Sequence, residues 1–249
     1  MSSYDYDSHV AWFRCYEAEA ALIDAAIKRH CSSGTKLIEL GCGTANLMMA
    51  LLKKGYDVVG VDINPSSLDI AKQKLASAGY PVQLLRGDIS NKVPTKSLYD
   101  VTVATFSLVF NFFPESKLSL FFQTASNLTR QSGLLIVNGF SVETTRRTHS
   151  PGEVIFRGVN RLRGNSLPTY DRVDYFGDNI RITVFHGADW ESRALVTHYD
   201  LRPYTIAELE THAADHGFKL VEVKAYPQPD PFTPGESDEF FAVFMKVKE

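Results

Sequence analysis

The sequence predicts an α/β fold, in which helices cover both faces of a mostly parallel β-sheet. The first indication is the alternation, over residues 36–138, of short apolar runs with segments of helical periodicity. The second is that two apolar runs, 36–40 and 57–61, enclose a glycine-containing turn at 41–46 and a helix, and that the second run ends in Asp62. A strand, a glycine turn, a helix and a strand with a terminal acid form the nucleotide-binding half of a doubly wound sheet.

The remaining elements have local signals of their own. Asn64 and Pro65 are a helix N-cap and a first-turn proline, and Gly79 ends the helix that they begin. Thr205 and Glu208 form the capping box of a late helix. Periodicity predicts helices at 9–30, 47–54, 65–78, 114–129 and 205–216, and further strands at 81–86, 100–104, 134–138, 219–225 and 240–247.

Residues 141–203 interrupt the alternation. They contain nine of the thirteen arginines, none of the thirteen lysines, and eight acids. Alternating residues at 179–184 and 193–200 flank a turn at 187–191, so we expect a hairpin within a small antiparallel sheet inserted after the fifth strand. The arginines either form cross-strand ion pairs on an exposed sheet or, for one or two of them, bind a carboxylate or phosphate of a ligand.

Composition argues against several classes of protein. With 249 residues, a formal net charge of −3 and no lysine-rich tract, nothing indicates a nucleic-acid partner. No apolar run reaches membrane-spanning length, and the acidic, aromatic N-terminus is unlike a signal peptide. Cys15, Cys31 and Cys42 form no CxxC pair, which favours free thiols in a reducing cytoplasm. His212 and His216 have a metal-compatible spacing but no third ligand, so we expect no metal site.

Four short motifs carry a resemblance to a known family. They are Glu39-Leu-Gly41-Cys42-Gly43, Asp62-Ile63 after the second strand, Asp88-Ile89 after the third, and Thr105-Phe106 after the fourth. This pattern resembles the class I S-adenosylmethionine-dependent methyltransferases that act on small molecules such as metabolites and natural products. The resemblance implies a Rossmann-like sheet of seven strands, S-adenosylmethionine as the cofactor and S-adenosylhomocysteine as the product.

The resemblance also implies roles for these residues. In that family the glycine turn passes the methionyl part and the sugar, the first acid holds the ribose hydroxyls, and the second faces the adenine amino group. The implied cofactor-binding residues are Glu39, Gly41, Cys42, Gly43, Asp62, Ile63, Asp88, Ile89, Thr105 and Phe106.

The residues support such a cofactor on chemical grounds as well. A nucleoside sulfonium has no phosphate, and this turn has no phosphate-loop lysine. Asp62 and Asp88 supply carboxylates, although each has an alternative interpretation, as a helix cap and as a turn former. Ala45 departs from the glycine pattern, and we expect its φ to be negative. Cys42 lies where a small side chain is needed, and we do not interpret it as a nucleophile.

The resemblance divides the chain into three parts. Residues 36–140 and 204–249 form the cofactor-binding core. Residues 1–35 form a lid region, because an N-terminal helix lies across the cleft in that family. Residues 141–203, the insertion, either cap the acceptor site or build a homodimer.

Four residues are candidates for contact with the acceptor. Tyr6 and Trp12 belong to the lid region. The alternative for Tyr6 is that it lies in a loose tail, and the alternative for Trp12 is that it packs in the core. Asn111 and Phe112 follow the fourth strand. Asn111 is a polar residue among aromatics, which suits orienting a substrate group during catalysis, or alternatively forming a turn.

The predicted reaction is in-line transfer of a methyl group to a nitrogen, oxygen or activated carbon of a small molecule. His186 and His198, on the two hairpin strands, are the candidate general bases, with exposed sheet histidines as the alternative. The absence of an unambiguous base favours an amine or an already acidic acceptor. Two other functions stay open: a nicotinamide-dependent reductase and a macromolecular methyltransferase acting on tRNA or protein.

Overall fold

The computed structural model describes residues 7, 14–31, 34–91, 93–162, 165–226 and 230–247. Its helices are α1 Tyr16–His30, α2 Asn46–Lys53, α3 Pro65–Ser77, α4 Glu115–Leu128, α5 Val142–Thr148 and α6 Ile206–Asp215, with a 3-10 turn at Leu108–Asn111. Its strands are β1 Lys36–Leu40, β2 Asp57–Asp62, β3 Leu84–Arg86, β4 Tyr99–Ala104, β5 Thr129–Phe140, β6 Glu153–Leu162, β7 Asn165–Phe176, β8 Asn179–His186, β9 Ala194–Leu201, β10 Phe218–Tyr226 and β11 Glu239–Lys246.

Seven strands form one mixed sheet in the order β10-β11-β5-β4-β1-β2-β3. β3, β2, β1, β4 and β5 are parallel to one another, whereas β11 runs antiparallel to both β5 and β10. The strand order reverses at β1, and open α/β sheets bind ligands at such a point, beyond the carboxyl ends of the strands. The predicted seven-stranded fold is therefore confirmed.

Apolar residues are buried on both faces of this sheet. On β1, Ile38 and Leu40 join one apolar cluster and Leu37 joins the other, because successive side chains point to opposite faces. The first cluster packs against α4 and α6, and the second against α1, α2 and α3. Burial on both faces explains why the strands read as continuous apolar runs.

Two strands begin three or more residues from their predicted starts. β3 begins at Leu84, because Gly60 of β2 pairs with that residue. β5 begins at Thr129, because that residue already pairs with Tyr99 of β4. Within the described part of the chain, no helix has both the length and the apolar character needed to cross a bilayer.

A second sheet of four antiparallel strands, β6-β7-β8-β9, lies within residues 141–203. The predicted hairpin is its β8–β9 pair, whereas α5, β6 and β7 were not predicted. Arg181 Nε of β8 lies 2.6 Å from Asp200 Oδ1 of β9, a cross-strand ion pair of the kind expected for an exposed sheet. Arg202 N, directly after β9, donates a hydrogen bond of 2.8 Å to Phe110 O and so joins this sheet to the core.

Gly60 of β2 has no room for a side chain. A Cβ atom there would lie 2.6 Å from Met48 Sδ, 2.8 Å from Cys42 Sγ and 2.9 Å from Leu84 Cδ2. We expect Gly60→Ala to lower the free energy of unfolding by about 1–3 kcal/mol, because overpacking displaces these side chains. Asp57→Ala, at the exposed start of the same strand, should change it by less than about 0.5 kcal/mol. Urea titration followed by circular dichroism measures both, and equal stabilities would contradict this account.

Candidate active site

The turn after β1 has a left-handed backbone at three positions. Gly41, Gly43 and Ala45 have φ values of +71°, +52° and +67°. The expectation of a negative φ at Ala45 is therefore wrong. Ala45 N donates to Cys42 O at 2.8 Å, and Ala45 O accepts from Met49 N at 3.0 Å, so this residue both closes the turn and begins α2. An alanine in this conformation costs about 1–2 kcal/mol, so the surrounding structure must impose it.

Asp62, at the end of β2, braces this turn. Its Oδ2 accepts a hydrogen bond from Gly43 N at 2.8 Å, and its Oδ1 accepts one from Asn64 N at 2.8 Å. The cap of α3 is Asn64, whose Oδ1 accepts from Ser66 N at 3.0 Å, so Asp62 does not act as the helix cap. The Asp62 carboxylate is thus held in place, with lone pairs left for further donors.

The turn is packed on one side and open on the other. A Cβ atom at Gly41 would lie 2.7 Å from Leu108 Cδ2, whereas a Cβ atom at Gly43 would meet nothing within 4 Å. Next to Asp62, the Ile63 side chain is 63% exposed, which is unusual for a large apolar residue. Burial raises the pKa of the Cys42 thiol, which keeps it protonated and argues against a nucleophilic role.

The other residues expected around the cofactor occupy the ends of neighbouring strands. Asp88 follows β3, and its Oδ1 accepts hydrogen bonds from Ser90 N at 2.9 Å and Ser90 Oγ at 2.8 Å. Ile89 is buried, and so is Thr105 at the end of β4. This arrangement brings the ends of β1, β2, β3 and β4 to one edge of the sheet, as the resemblance implied.

A cluster of buried charges lies close to the turn. It contains Arg14, Glu19 and Glu39, which are buried, and Glu239, whose side chain is 27% exposed. Arg14 Nε lies 2.5 Å from Glu19 Oε1, and Arg14 Nη1 lies 3.6 Å from Glu239 Oε2. The Arg14 side chain is 2% exposed and that of Glu19 is fully buried. Sequence reasoning identified only Glu39, although a charged residue within the apolar stripe of α1 was an available signal for Glu19.

This cluster holds more carboxyl groups than it can pair. Among the described residues, Arg14 Nη2, Glu19 Oε2 and Glu39 Oε2 are buried atoms without a hydrogen-bond partner. Burial raises the pKa of Glu39 well above its usual range, and the nearby Glu19 and Asp62 carboxylates raise it further. Burial also raises the pKa values of Glu19 and Glu239, although Arg14 acts in the opposite direction on both. The site therefore has less positive than negative charge and leaves both a donor and acceptors unpaired.

The loop after β4 forms the neighbouring wall. Phe106 and Ser107 have left-handed φ values of +59° and +53°. Ser107 N donates to Asn138 Oδ1 at 3.2 Å, and the Phe106 ring centroid lies 4.6 Å from Arg14 Cζ. Phe106, predicted to contact the cofactor, thus lies against the guanidinium of the charge cluster.

The two residues expected in the acceptor site after β4 differ in position. Asn111 is exposed and ends the 3-10 turn, where its Nδ2 donates to Leu108 O at 3.2 Å, as the turn-forming alternative expected. Phe112 is buried and stacks on Phe121 of α4, with ring centroids 5.2 Å apart. Phe112 therefore packs in the core, and its contact with the acceptor stays a prediction.

The two candidate bases lie on opposite faces of the inserted sheet. His186 shares a face of β8 with Ile182, which packs against the core cluster, and His186 is buried. His198 of β9 pairs with Thr183, so it shares the opposite face and is exposed. This geometry favours His186 over His198 as a residue that can approach the core.

Asp7 is a further polar contact at the turn that sequence reasoning missed. Its Oδ1 accepts from Thr44 Oγ1 at 2.5 Å and from Asn46 Nδ2 at 2.9 Å, and its Oδ2 lies 2.6 Å from Lys74 Nζ. The Asp7 pKa is lowered, since these hydrogen bonds outweigh the opposing effect of burial. The two predicted lid contacts, Tyr6 and Trp12, lie outside the described residues.

The paired histidines of α6 have structural surroundings. Both stack on Phe122 of α4, with ring centroids 6.5 Å away for His212 and 6.4 Å away for His216. His216 Nε2 also lies 2.9 Å from Ser119 Oγ. In the described ranges, no group of three or more metal-ligating side chains has a geometry that holds a metal ion.

An open glycine turn, a braced aspartate beside it and a mixed seven-stranded sheet together define a nucleoside-binding α/β protein. Comparison with known proteins narrows the class. Residues 37–133 match a family model described as a methyltransferase domain. Over 83 residues the chain is 36% identical to the magnesium-protoporphyrin O-methyltransferase of Rhodobacter capsulatus, and over 97 residues it is 33% identical to the carboxy-S-adenosyl-L-methionine synthase of Campylobacter lari. These matches cover 31% and 38% of this chain and span only 34% and 41% of the two relatives.

Solved structures match over nearly the whole chain. An S-adenosylmethionine-dependent methyltransferase from Clostridium acetobutylicum has a TM-score of 0.81 at 16% identity, with 98% of this chain and 96% of that chain covered. CalS10, an amino pentose methyltransferase from Micromonospora echinaspora, has a TM-score of 0.77 at 17% identity, with 99% and 98% covered. Residues 37–133 thus match a methyltransferase domain, and the fold is that of solved S-adenosylmethionine-dependent methyltransferases, as the sequence predicted.

We expect Glu39→Gln to stabilise the ligand-free protein. A buried carboxyl with a raised pKa costs nothing below the pKa of an ordinary glutamate and destabilises the fold as pH rises through the raised pKa. The variant should therefore match the wild type in acid and exceed it by about 1–3 kcal/mol at neutral pH. Thermal unfolding across this pH range measures the difference. Glu210→Gln, on the exposed side of α6, is the control, and a variant that is less stable at neutral pH would contradict the charge assignment.

Proposed function

We propose that this protein transfers the methyl group of S-adenosylmethionine to a small-molecule acceptor and releases S-adenosylhomocysteine. The observation that carries the proposal is the open turn at Gly43, braced by Asp62 and adjoining a buried cluster with unpaired donor and acceptor atoms. Such atoms are costly unless a ligand pairs with them. The matched domain and the fold support methyl transfer, and we propose this activity for the whole chain.

The unpaired atoms fit the amino-acid end of this cofactor. A carboxylate complements Arg14 Nη2, and an ammonium complements Glu39 Oε2 or Glu19 Oε2. The cofactor also carries a sulfonium, so it has one more positive than negative charge. One guanidinium beside three carboxyl groups leaves room for that extra charge.

The nucleoside end fits the other side of the turn. Asp62 is a fixed acceptor for ribose hydroxyls, since both of its oxygens are held by backbone donors. The exposed Ile63 side chain offers an apolar surface to an adenine ring. Asp88 retains acceptor capacity for the adenine amino group beyond its bonds to Ser90.

When bound, the cofactor supplies a methyl group on a positively charged sulfur, which a lone pair of the acceptor displaces in line. The chain's contribution is alignment and the exclusion of water. The buried carboxylates hold the cationic end of the donor, and Phe106 offers an apolar wall at the carboxyl end of β4. Alignment of this kind needs no protein base when the acceptor is a free amine.

The electrostatics of the site disfavour a nicotinamide dinucleotide, the cofactor of the alternative function. The pyrophosphate of a nicotinamide dinucleotide requires positive charge or free backbone donors at the glycine turn. Here Gly43 N donates to Asp62, and Lys74 is paired with Asp7. A pyrophosphate would also meet the carboxylates of Glu39 and Asp62. The arginines of the inserted sheet do not by themselves support a macromolecular substrate. Arg181, for example, is paired with Asp200 within the sheet.

We propose an amine as the acceptor. The neighbouring structures include an amino pentose methyltransferase, and KedS8, a sugar N-methyltransferase from Streptoalloteichus, with a TM-score of 0.77 over 98% of this chain. The sequence offers no unambiguous base, which favours an acceptor that arrives deprotonated. His186 is the candidate base if the acceptor is a hydroxyl. We also retain a homodimer through residues 141–203, in which β9 is an edge strand of the inserted sheet.

The cofactor assignment is tested by titration calorimetry. We expect micromolar binding of S-adenosylmethionine by the wild type and at least roughly tenfold weaker binding by Asp62→Ala, which loses an acceptor and the brace on the turn. Asp57→Ala, at the other end of β2, should bind like the wild type. Binding of NADH instead of the sulfonium would reject the proposal.

The acceptor class is tested with S-adenosylmethionine carrying an isotope-labelled methyl group. We expect label to appear on the nitrogen of amino sugars, and the rate at low acceptor concentration to rise with pH until the amine is fully deprotonated. The carbon-13 chemical shift of the product separates N-methyl from O-methyl. Transfer to the hydroxyl sugars that serve as matched controls, and not to their amino counterparts, would refute the amine assignment.

A further inference from the structure

Two consecutive non-glycine residues after β4 have strained backbones. Phe106 and Ser107 have φ values of +59° and +53°, where an L-residue is disfavoured by about 1–2 kcal/mol. Residues in such conformations persist only where the surrounding structure holds them, and they concentrate at functional sites. The position of this pair is at the carboxyl end of a central strand, where a ligand of this fold binds.

A side-chain relay from the sheet holds this conformation. Asn138 of β5 is fully buried, and its Oδ1 accepts from Ser107 N at 3.2 Å. Its Nδ2 donates to Glu239 Oε2 of β11 at 2.8 Å. Because both Asn138 and Glu239 lie on paired strands of the sheet, the amide has a single orientation that uses its donor and its acceptor together.

The same contacts extend to Arg14 and Cys15, which we call the N-terminal segment. Arg14 Nη1 lies 3.6 Å from Glu239 Oε2, and Arg14 Cζ lies 4.6 Å from the Phe106 ring centroid. Cys15 N, next in the chain, donates to Tyr226 OH at 3.2 Å. The contacts form a closed circuit in which one arginine touches both the strained loop and the acid that supports it.

We propose that Asn138 and Glu239 are positioning residues that couple the shape of the loop at 105–107 to the placement of the N-terminal segment. The amide of Asn138 holds the loop in the form that presents Phe106 to the ligand, and the Glu239 carboxylate holds Arg14 against that ring. The inference rests on the proposed function, since the ligand is S-adenosylmethionine. Neither residue touches the reacting atoms in this assignment, and each acts through the loop or through Arg14.

The first test is a loss and rescue of cofactor affinity in the full chain. Asn138→Leu keeps the side-chain volume but removes both hydrogen bonds, and we expect it to weaken S-adenosylmethionine binding about tenfold. Adding Ser107→Gly should recover most of that loss, because glycine adopts a positive φ without support. If Asn138 only stabilised the fold, Ser107→Gly would not restore the affinity, because the glycine only adds flexibility. Equal affinity of Asn138→Leu and the wild type, or a loss that Ser107→Gly does not reverse, overturns the proposal.

A matched control separates positioning from general loss of stability. Thr102 of β4 forms a buried hydrogen bond of 2.8 Å with Thr129 and lies away from the loop. Thr102→Val removes that bond at constant shape, so it should lower the melting temperature without changing the affinity for S-adenosylmethionine. A similar loss of affinity in Thr102→Val would overturn the specific role of Asn138.

The second test needs no cofactor, so it decides the coupling even if the proposed function fails. Hydrogen exchange is followed by mass spectrometry on peptides covering 14–20 and 104–112 in the ligand-free protein. We expect Asn138→Leu to speed exchange in both peptides, and Glu239→Gln to speed it mainly in 14–20, because the glutamine keeps the bond to Asn138 but loses the attraction to Arg14. Faster exchange confined to 104–112 in Asn138→Leu overturns the coupling. Absence of S-adenosylmethionine binding by the wild type instead overturns the proposed function.

Discussion

The hydrogen bond from Gly43 N to Asp62 is the contact on which the candidate site depends. It joins the end of β2 to the turn that follows β1, and the second oxygen of Asp62 is held by Asn64 N. Because both oxygens are engaged, the carboxylate cannot turn away, and the backbone of the turn cannot relax from its left-handed form. The costly φ of Ala45 occurs within the same turn. The result is an acid and an open backbone surface placed side by side.

The buried charges beside the turn lack partners in the ligand-free protein. A chain that maximised its own stability would not enclose Glu19 and Glu39 with a single arginine, because an unpaired buried charge is destabilising. Glu39 and Arg14 keep atoms without partners among the described residues, and the pKa of Glu39 is raised accordingly. A cationic donor with an amino-acid end supplies what is missing. Stability given up in the free protein is recovered as binding energy, which is a common feature of functional sites.

The same charges connect parts of the molecule that are distant in sequence. Arg14 precedes α1, Glu239 begins β11, and Asn138 is near the end of β5, yet they form one relay to the loop after β4. The loop after β4 is therefore connected both to the C-terminal strand β11 and to Arg14. The inserted sheet is attached at the same place, because Arg202 N bonds to Phe110 O beside that loop.

The sequence by itself determined the alternation of strands and helices, the helix caps at Asn64 and Thr205, and the resemblance to methyltransferases. These features depend on residues within one turn or one apolar run of each other, so local chemistry was enough. Prediction failed where the packing of the whole turn decides, because Ala45 has a left-handed backbone that its residue type disfavours. Strands β6 and β7 were likewise not predicted. Only the tertiary structure decided which charged residues meet at the site, because pairing across distant segments depends on strand order, which no local pattern contains.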